Sequence, residues 1–399
     1  MKAFLRILCI LFLATIVLPE LAGQHPDQVH ASPISVITSC DETLLSTTIT
    51  EATSGAIIKF NLGLPCIFTL TEGPIVITKN VTIDASTSLY PVMISGGYRL
   101  PIFRVNKNAT AVFNGLTIMQ GHNSNGPGGG ILNYGTVRIS NSTFAYNSVT
   151  GDNDGGGLAN YGTASISNST FTDNSANYGA GIANLTPAKT NTVRINTSTF
   201  VHNSATVGAG IGNVGTMSVS NSTFAYNSAD LGAGIANGVT ISISNSTITN
   251  NAANRGAALS NASIADISSS TIANNLSPLG SIIEDDYLIR IGHSIVANSA
   301  TFGACSLTSP SANIIDQGYN LDSTVGCNLT ARTSLHTDDP KLDLSPANHG
   351  GPTPTLALKP DSPALNRIPP SQCLVPTDQR GVPRPQGSAC DIGAFELTV

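Results

Sequence analysis

Apolar positions in the middle of this chain recur in three columns separated by small polar residues. One column follows each Ser-Thr pair: Phe144, Phe171, Phe200, Phe224, Ile248 and Ile272. A second is Ile139, Ile166, Ile195, Val219, Ile243 and Ile267. The third is Ile131, Leu158, Ile182, Ile211, Ile235 and Leu259. The basic step is 24 residues, and longer steps of 27 and 29 reflect inserts at Val149–Asp154 and Thr186–Asn191.

Within each repeat the apolar residues alternate with polar ones over short runs, and Asn and Gly punctuate the runs. That is strand patterning, and no amphipathic helix of useful length interrupts it. A unit this short cannot bury a face alone, so neighbouring units must stack. The spacing predicts three short strands per turn, stacked at roughly the 4.8 Å of hydrogen-bonded strands. The predicted fold is all-β: a right-handed parallel β-helix, a solenoid whose columns line a dry interior. The leucine spacing of a leucine-rich horseshoe is absent.

Two Asn columns sit at the corners. Asn133, Asn160, Asn184, Asn213, Asn237 and Asn261 form one, and Asn147, Asn174, Asn203, Asn227, Asn251 and Asn275 the other. Asn tolerates left-handed backbone and its amides can stack as hydrogen-bonded ladders. Asn141, Asn168, Asn221 and Asn245 lie in Asn-Ser-Thr sequons. Their recurrence in rung after rung favours a corner role over glycosylation.

The ends break the pattern. Lys2 and Arg6 precede the apolar run Ile7–Leu18, which is too short to span a membrane and reads as a secretory signal over 1–31, cleaved after Gly23 or Ala31. No further transmembrane segment is expected once it is removed. Residues 32–119 read as an N-terminal cap and early irregular rungs. A capping box at Ser39-Cys40-Asp41-Glu42 opens a short helix that buries Leu45, Ile49 and Ala52. Regular repeats occupy 120–275, late rungs 276–338, and a Pro-rich tail 339–399. Six cysteines remain after signal removal, and their grouping suggests local pairs: Cys40–Cys66, Cys305–Cys327 and Cys373–Cys390. Such bridges would pin both ends, making the tail an irregular, disulfide-pinned cap, and they imply an oxidising compartment.

Two resemblances follow from these motifs. Phe-x-x-Asn followed by Gly-Ala-Gly-Ile is similar to the repeats of polymorphic outer membrane proteins, which are surface-exposed right-handed β-helices. Asn348-His349-Gly350-Gly351-Pro352-Thr353-Pro354-Thr355, Asp361-Ser362-Pro363-Ala364, Asp378-Gln379-Arg380-Gly381, Arg384-Pro385 and Cys390-Asp391-Ile392-Gly393-Ala394-Phe395-Glu396 together resemble the choice-of-anchor Q domain. Gly318-Tyr319-Asn320-Leu321 before Cys327 fits as well. The resemblance implies a bacterial protein that is secreted or displayed on the cell surface. The sequence ends at Leu397-Thr398-Val399, just past the motif, which points to release or loose association with the envelope.

Net charge is −6, so no basic excess recruits nucleic acid. Parallel β-helices can host polysaccharide lyases and glycoside hydrolases, which need clustered carboxylates with a cation or a basic residue. Alternation puts Gly130, Gly157, Gly181, Gly210, Gly234 and Ala258 outward on one strand, with Leu132, Ala159, Ala183, Gly212, Ala236 and Ser260 beside them. The second strand shows Arg138, Ser165, Arg194, Ser218, Ser242 and Asp266, and the third Thr143, Thr170, Thr199, Thr223, Thr247 and Thr271. No catalytic constellation is expected there, and no cofactor. Asp152 and Asp154 offer a fragment of a calcium loop without its distal Glu. His349, Arg380, Asp391 and Glu396 cluster in the tail, read as structural, with Arg380 paired to a carboxylate. Candidate ligand contacts are the corner tyrosines Tyr134, Tyr161, Tyr146, Tyr178 and Tyr226, whose rings suit sugar faces. The expected role is therefore structural or adhesive, with extracellular glycans or envelope components as partners. The alternative is a polysaccharide lyase or glycoside hydrolase of the pectate-lyase-like type.

Overall fold

The computed structural model describes residues 33–185, 192–297, 303–323 and 325–398. The signal segment and the Thr186–Asn191 insert lie outside the described residues. The rest is a right-handed parallel β-helix, with every paired strand of the coil running parallel to the one a turn before it. Among the described residues, sheet A has 12 strands from Ile34–Ile37 to Asn313–Asp316 and sheet B has 12 from Cys66–Thr69 to Leu335–His336. Sheet C has 10 strands between Ile75–Ile77 and Cys305–Leu307. Each regular turn runs C, A, B, followed by a further side.

The three predicted columns pair in register. Phe144 lies opposite Phe171, which faces Phe200, then Phe224, Ile248 and Ile272. The four phenylalanines are fully buried and stack at 4.7, 5.0 and 4.7 Å between centroids, tilted by less than ten degrees (9°, 7° and 4°). One aromatic per rung at rung spacing makes a continuous interior column, each ring worth about 1.5–3 kcal/mol of burial.

Three readings are corrected. A fourth sheet exists: sheet D, 6 strands from His122–Asn123 to Ala252–Arg255, makes the regular turn four-sided. Its stretches, such as Ser175–Tyr178 and Ser204–Val207, are half-exposed and lack an apolar alternation. Second, the Gly130 column does not face outward. A Cβ on Gly157, Gly181 or Gly210 would lie 3.0 Å from the inner rings of Phe171, Phe200 and Phe224. These glycines sit at the bend between sheets D and C, where strand alternation does not apply, and they make room for the phenylalanine stack. Third, the helix Glu42–Glu51 is capped by Asp41, whose carboxylate accepts from Leu44 N at 2.8 Å, and not by Ser39. Glu42 reaches across to Thr71 Oγ1 at 2.8 Å, tying the helix to the early rungs. Leu45 and Ile49 are buried as expected, closing the first turn.

Both Asn columns are ladders. Asn147, Asn174, Asn203, Asn227 and Asn251 each donate Nδ2–H to the next Asn Oδ1 at 2.9–3.0 Å. The Asn133 column does the same and ends on the Asp285 carboxylate, at 2.7 Å from Asn261 Nδ2. The sequon column also ladders: Asn168 donates to Asn141, and Asn245 to Asn221, all at positive φ.

The three disulfides join Cys40–Cys66, Cys305–Cys327 and Cys373–Cys390. The C-terminal cap covers a side of the coil. Gln379, buried, donates to Thr223 Oγ1 at 2.7 Å and accepts from Thr247 Oγ1 at 2.6 Å, and Ala394 N donates to Thr271 Oγ1 at 3.0 Å. Leu342, Leu356, Leu358, Ile368, Ile392 and Phe395 form a second apolar core against Ala273, Ile295 and Leu321. The tail thus buries the C-terminal half of the threonine column and leaves Thr143, Thr170 and Thr199 partly open.

Candidate functional site

The corner between sheets C and A builds the site. Asn133 and Asn160 close each turn by turning their amides inward, Asn133 Oδ1 accepting from Gly135 N at 3.0 Å. The next residue is therefore thrown outward, and in two successive rungs it is Tyr134 and Tyr161. Gly must follow, because a Cβ on Gly135 would meet Ala109 O at 2.3 Å and one on Gly162 would meet Gly135 O at 2.0 Å. The rings are 5.2 Å apart and inclined by 20°, a stacked pair at rung spacing.

The preceding rung supplies charge. Arg104 lies on the strand Phe103–Val105, in register with Leu132, and its guanidinium carbon is 5.6 Å from the Tyr134 ring centroid. Lys107 follows in the turn. Arg104, Asn106, Lys107, Tyr134 and Tyr161 together line an open groove of about 670 Å³. Burial first, and then the Asp154 charge, push the Tyr161 hydroxyl pKa up. Burial also pushes the Asp154 carboxyl up.

The other tyrosines lie elsewhere. Tyr146 and Tyr226 are exposed at the corner between sheets B and D, in left-handed backbone, and Tyr226 stacks on His202 at 5.5 Å. Tyr178 packs down on sheet C, where a Cβ on Gly212 would fall 2.3 Å from its ring. Its hydroxyl is pushed well up by burial and then by Asp154. Tyr178, Val207, Leu231 and Arg255 form one register column of sheet D. The small residues Ala159, Ala183, Gly212 and Ala236 of sheet C, expected outward, are buried. The five tyrosines thus occupy three separate places, and one pair shares a groove with cations. Sequence reading missed Arg104 and Lys107 because they precede the regular repeat.

Among the described residues the carboxylates on the coil's strands take separate partners, whereas in the tail Lys341 lies 2.9 Å from Asp339 and 4.0 Å from Asp361. Asp84 accepts from Ser86 and Asn114, Asp266 pairs with Arg290 at 2.9 Å, and Glu284 pairs with Arg255 at 2.9 Å. Asp152 is exposed and Asp154 half-buried, and among the described residues no three His, Cys, Asp or Glu side chains converge to hold a metal.

The densest ionisable cluster is in the tail. Arg380 pairs with Asp378 at 2.7 Å and Arg384 with Glu396 at 3.3 Å, all nearly sealed from solvent. Arg380 also lies over the Phe395 ring at 3.6 Å, and His349 meets the same ring edge-on. Asp391 accepts from Asn366 N and Leu397 N. Burial raises the Asp391 and Glu396 pKa values. Their oxygens are spent on backbone N–H groups, so the cluster holds the tail together and offers a polymer no access.

Among the described residues no helix is long and apolar enough to cross a membrane, which says nothing of crossing by strands. No family model matches the chain, and no curated protein matches it. Among solved structures, pectate lyase Pel9A superposes with a TM-score of 0.51 at 13% identity, covering 92% of this chain and 97% of that one. The PL6 family alginate lyase AlyGC gives 0.41 at 11% identity over 92% of this chain and 58% of that one. At such identity the likeness to Pel9A is one of fold: the chain is similar to that protein as a parallel β-helix.

Proposed function

We propose that this protein is a secreted or surface-displayed β-helix that binds extracellular glycans without cleaving them, the stacked Tyr134–Tyr161 pair being the platform. The single observation carrying this reading is that pair, Tyr134 exposed and Tyr161 half-buried at one corner, lining a groove with two cations. Flat aromatic faces pack on the apolar faces of sugar rings. Pel9A, which is similar in fold, is a pectate lyase, which is compatible with a glycan partner. On the coil's strands, carboxylates held in separate ion pairs or hydrogen bonds speak against a lyase or hydrolase centre there. Three disulfides fit an oxidising compartment and hence export by the N-terminal segment. In this proposal the chain is a choice-of-anchor Q protein, a reading supported by the resemblance of its tail motifs.

The test is a polysaccharide panel in affinity electrophoresis with the mature chain, Tyr134→Ala and Tyr161→Ala. At least one glycan is expected to retard the wild type. Each variant should weaken it about tenfold, near 1.4 kcal/mol. Release of reducing ends or unsaturated uronides from any panel member overturns the non-catalytic reading.

A further inference from the structure

We propose that the groove takes an anionic, carboxylate-bearing glycan, laid across the early rungs with its carboxylates on Arg104 and Lys107. This rests on the glycan reading above and names the substrate class.

The charge distribution carries it. The chain as a whole is acidic, at −6. Yet residues 85–151 contain no Asp or Glu at all, while holding Arg99, Arg104, Lys107 and Arg138. Acids resume at Asp152. Two of the three rungs that build the groove, those of Arg104 and Tyr134, are therefore a cationic band on an acidic protein, and bulk composition does not explain it.

Geometry brings that charge to the rings. Arg104 and Lys107 line the same groove as Tyr134 and Tyr161. Both cations are exposed, and among the described residues neither forms an ion pair, unlike Arg255, Arg290, Arg380 and Arg384. Arg104 is steadied against the Tyr134 face and keeps its planar fork for a bidentate carboxylate. Arg138 continues the band on sheet A in the rung of Tyr134, with Arg194 two rungs on in the same outward column, a spacing of about 9.6 Å. The nearest acid acting on the rings is Asp154, half-buried behind Tyr161, whose burial favours its neutral form.

The test measures equilibrium binding of polygalacturonate and of its fully methyl-esterified form, which keeps the backbone and removes the charge. The mature chain, Arg104→Gln, Lys107→Gln and Tyr134→Ala are compared at low and high salt. The free acid is expected to bind about tenfold tighter than the ester, with the preference shrinking as salt rises. Arg104→Gln and Lys107→Gln should each shrink that preference to about threefold, and the salt dependence with it, with the melting temperature unchanged. Equal binding of acid and ester, both lost in Tyr134→Ala, overturns the anionic assignment and leaves the glycan reading standing. Absence of binding to both polymers, together with a blank neutral panel, overturns both.

Discussion

The Asn147–Asn275 ladder makes a sharp demand at Asn227, which is 1% exposed. Its Nδ2 donates to Asn251 Oδ1 at 2.9 Å and to Phe200 O at 3.0 Å. Its Oδ1 accepts from Asn203 N and Asn203 Nδ2, both at 3.0 Å. Asn227→Ala deletes all four bonds and strands two buried donors on Asn203. A buried group left unmet costs about 1–3 kcal/mol, so two of them cost the site about 2–6 kcal/mol. An exposed neighbour, Ser228→Ala, should stay within about 0.5 kcal/mol. A stacked solenoid need not unfold as one unit, so the loss should be read rung by rung in native-state hydrogen exchange. Protection should fall most at the amides of Asn203 and Asn227 and fade toward the coil ends. A loss under about 1 kcal/mol, equal to that of Ser228→Ala, refutes the ladder as a stabilising element.

Gln379→Ala removes the bonds joining the tail to Thr223 and Thr247, and one inside the tail to Thr353, so limited proteolysis should cut residues 339–399 faster while the central rungs stay protected. His293 lies buried beside the tail; burial, and behind it the Arg384 charge, hold its pKa below the ordinary value. A lowered histidine pKa contributes stability that is full above about pH 6.5 and lost as pH falls toward the folded value. The raised Asp391 and Glu396 values act with opposite sign, so the informative quantity is wild type minus His293→Gln: the variant should lose less tail stability between about pH 6.5 and 5. Reduction of the disulfides should cost about 2–4 kcal/mol per bridge and fray the ends first, read as exchange near Cys40 and Cys327 before Phe200.

The coil itself was legible because stacking forces each rung to repeat its core letters: Phe144 to Phe224 fell into register as the 24-residue period requires. Local cysteine pairing was legible for a related reason, since a solenoid keeps near neighbours in sequence near in space. Alternation failed at the bends. Gly157 reads as outward in a strand yet faces Phe171, because the chain there is turning. Sheet D left no apolar signature: Tyr178 packs over Gly212 of sheet C, and Val207 and Leu231 only follow it in register. The tail's position along Thr223, Thr247 and Thr271 was invisible: Gln379 meets Thr223 across 156 residues, and no local pattern encodes such a contact. For the site, Tyr134 and Tyr161 stood out as deviations in one column. Arg104 and Lys107 did not, because the signal was an absence of acids over residues 85–151.

The central claim is that the Tyr134–Tyr161 groove retains a glycan and leaves it intact. The most direct measurement follows polymer length and bound fraction together in one incubation of the mature protein with polygalacturonate. The account predicts a saturable complex that weakens about tenfold in Tyr134→Ala, with the polymer's length distribution unchanged. Shortening of the polymer by the wild type, or binding indifferent to Tyr134, contradicts it.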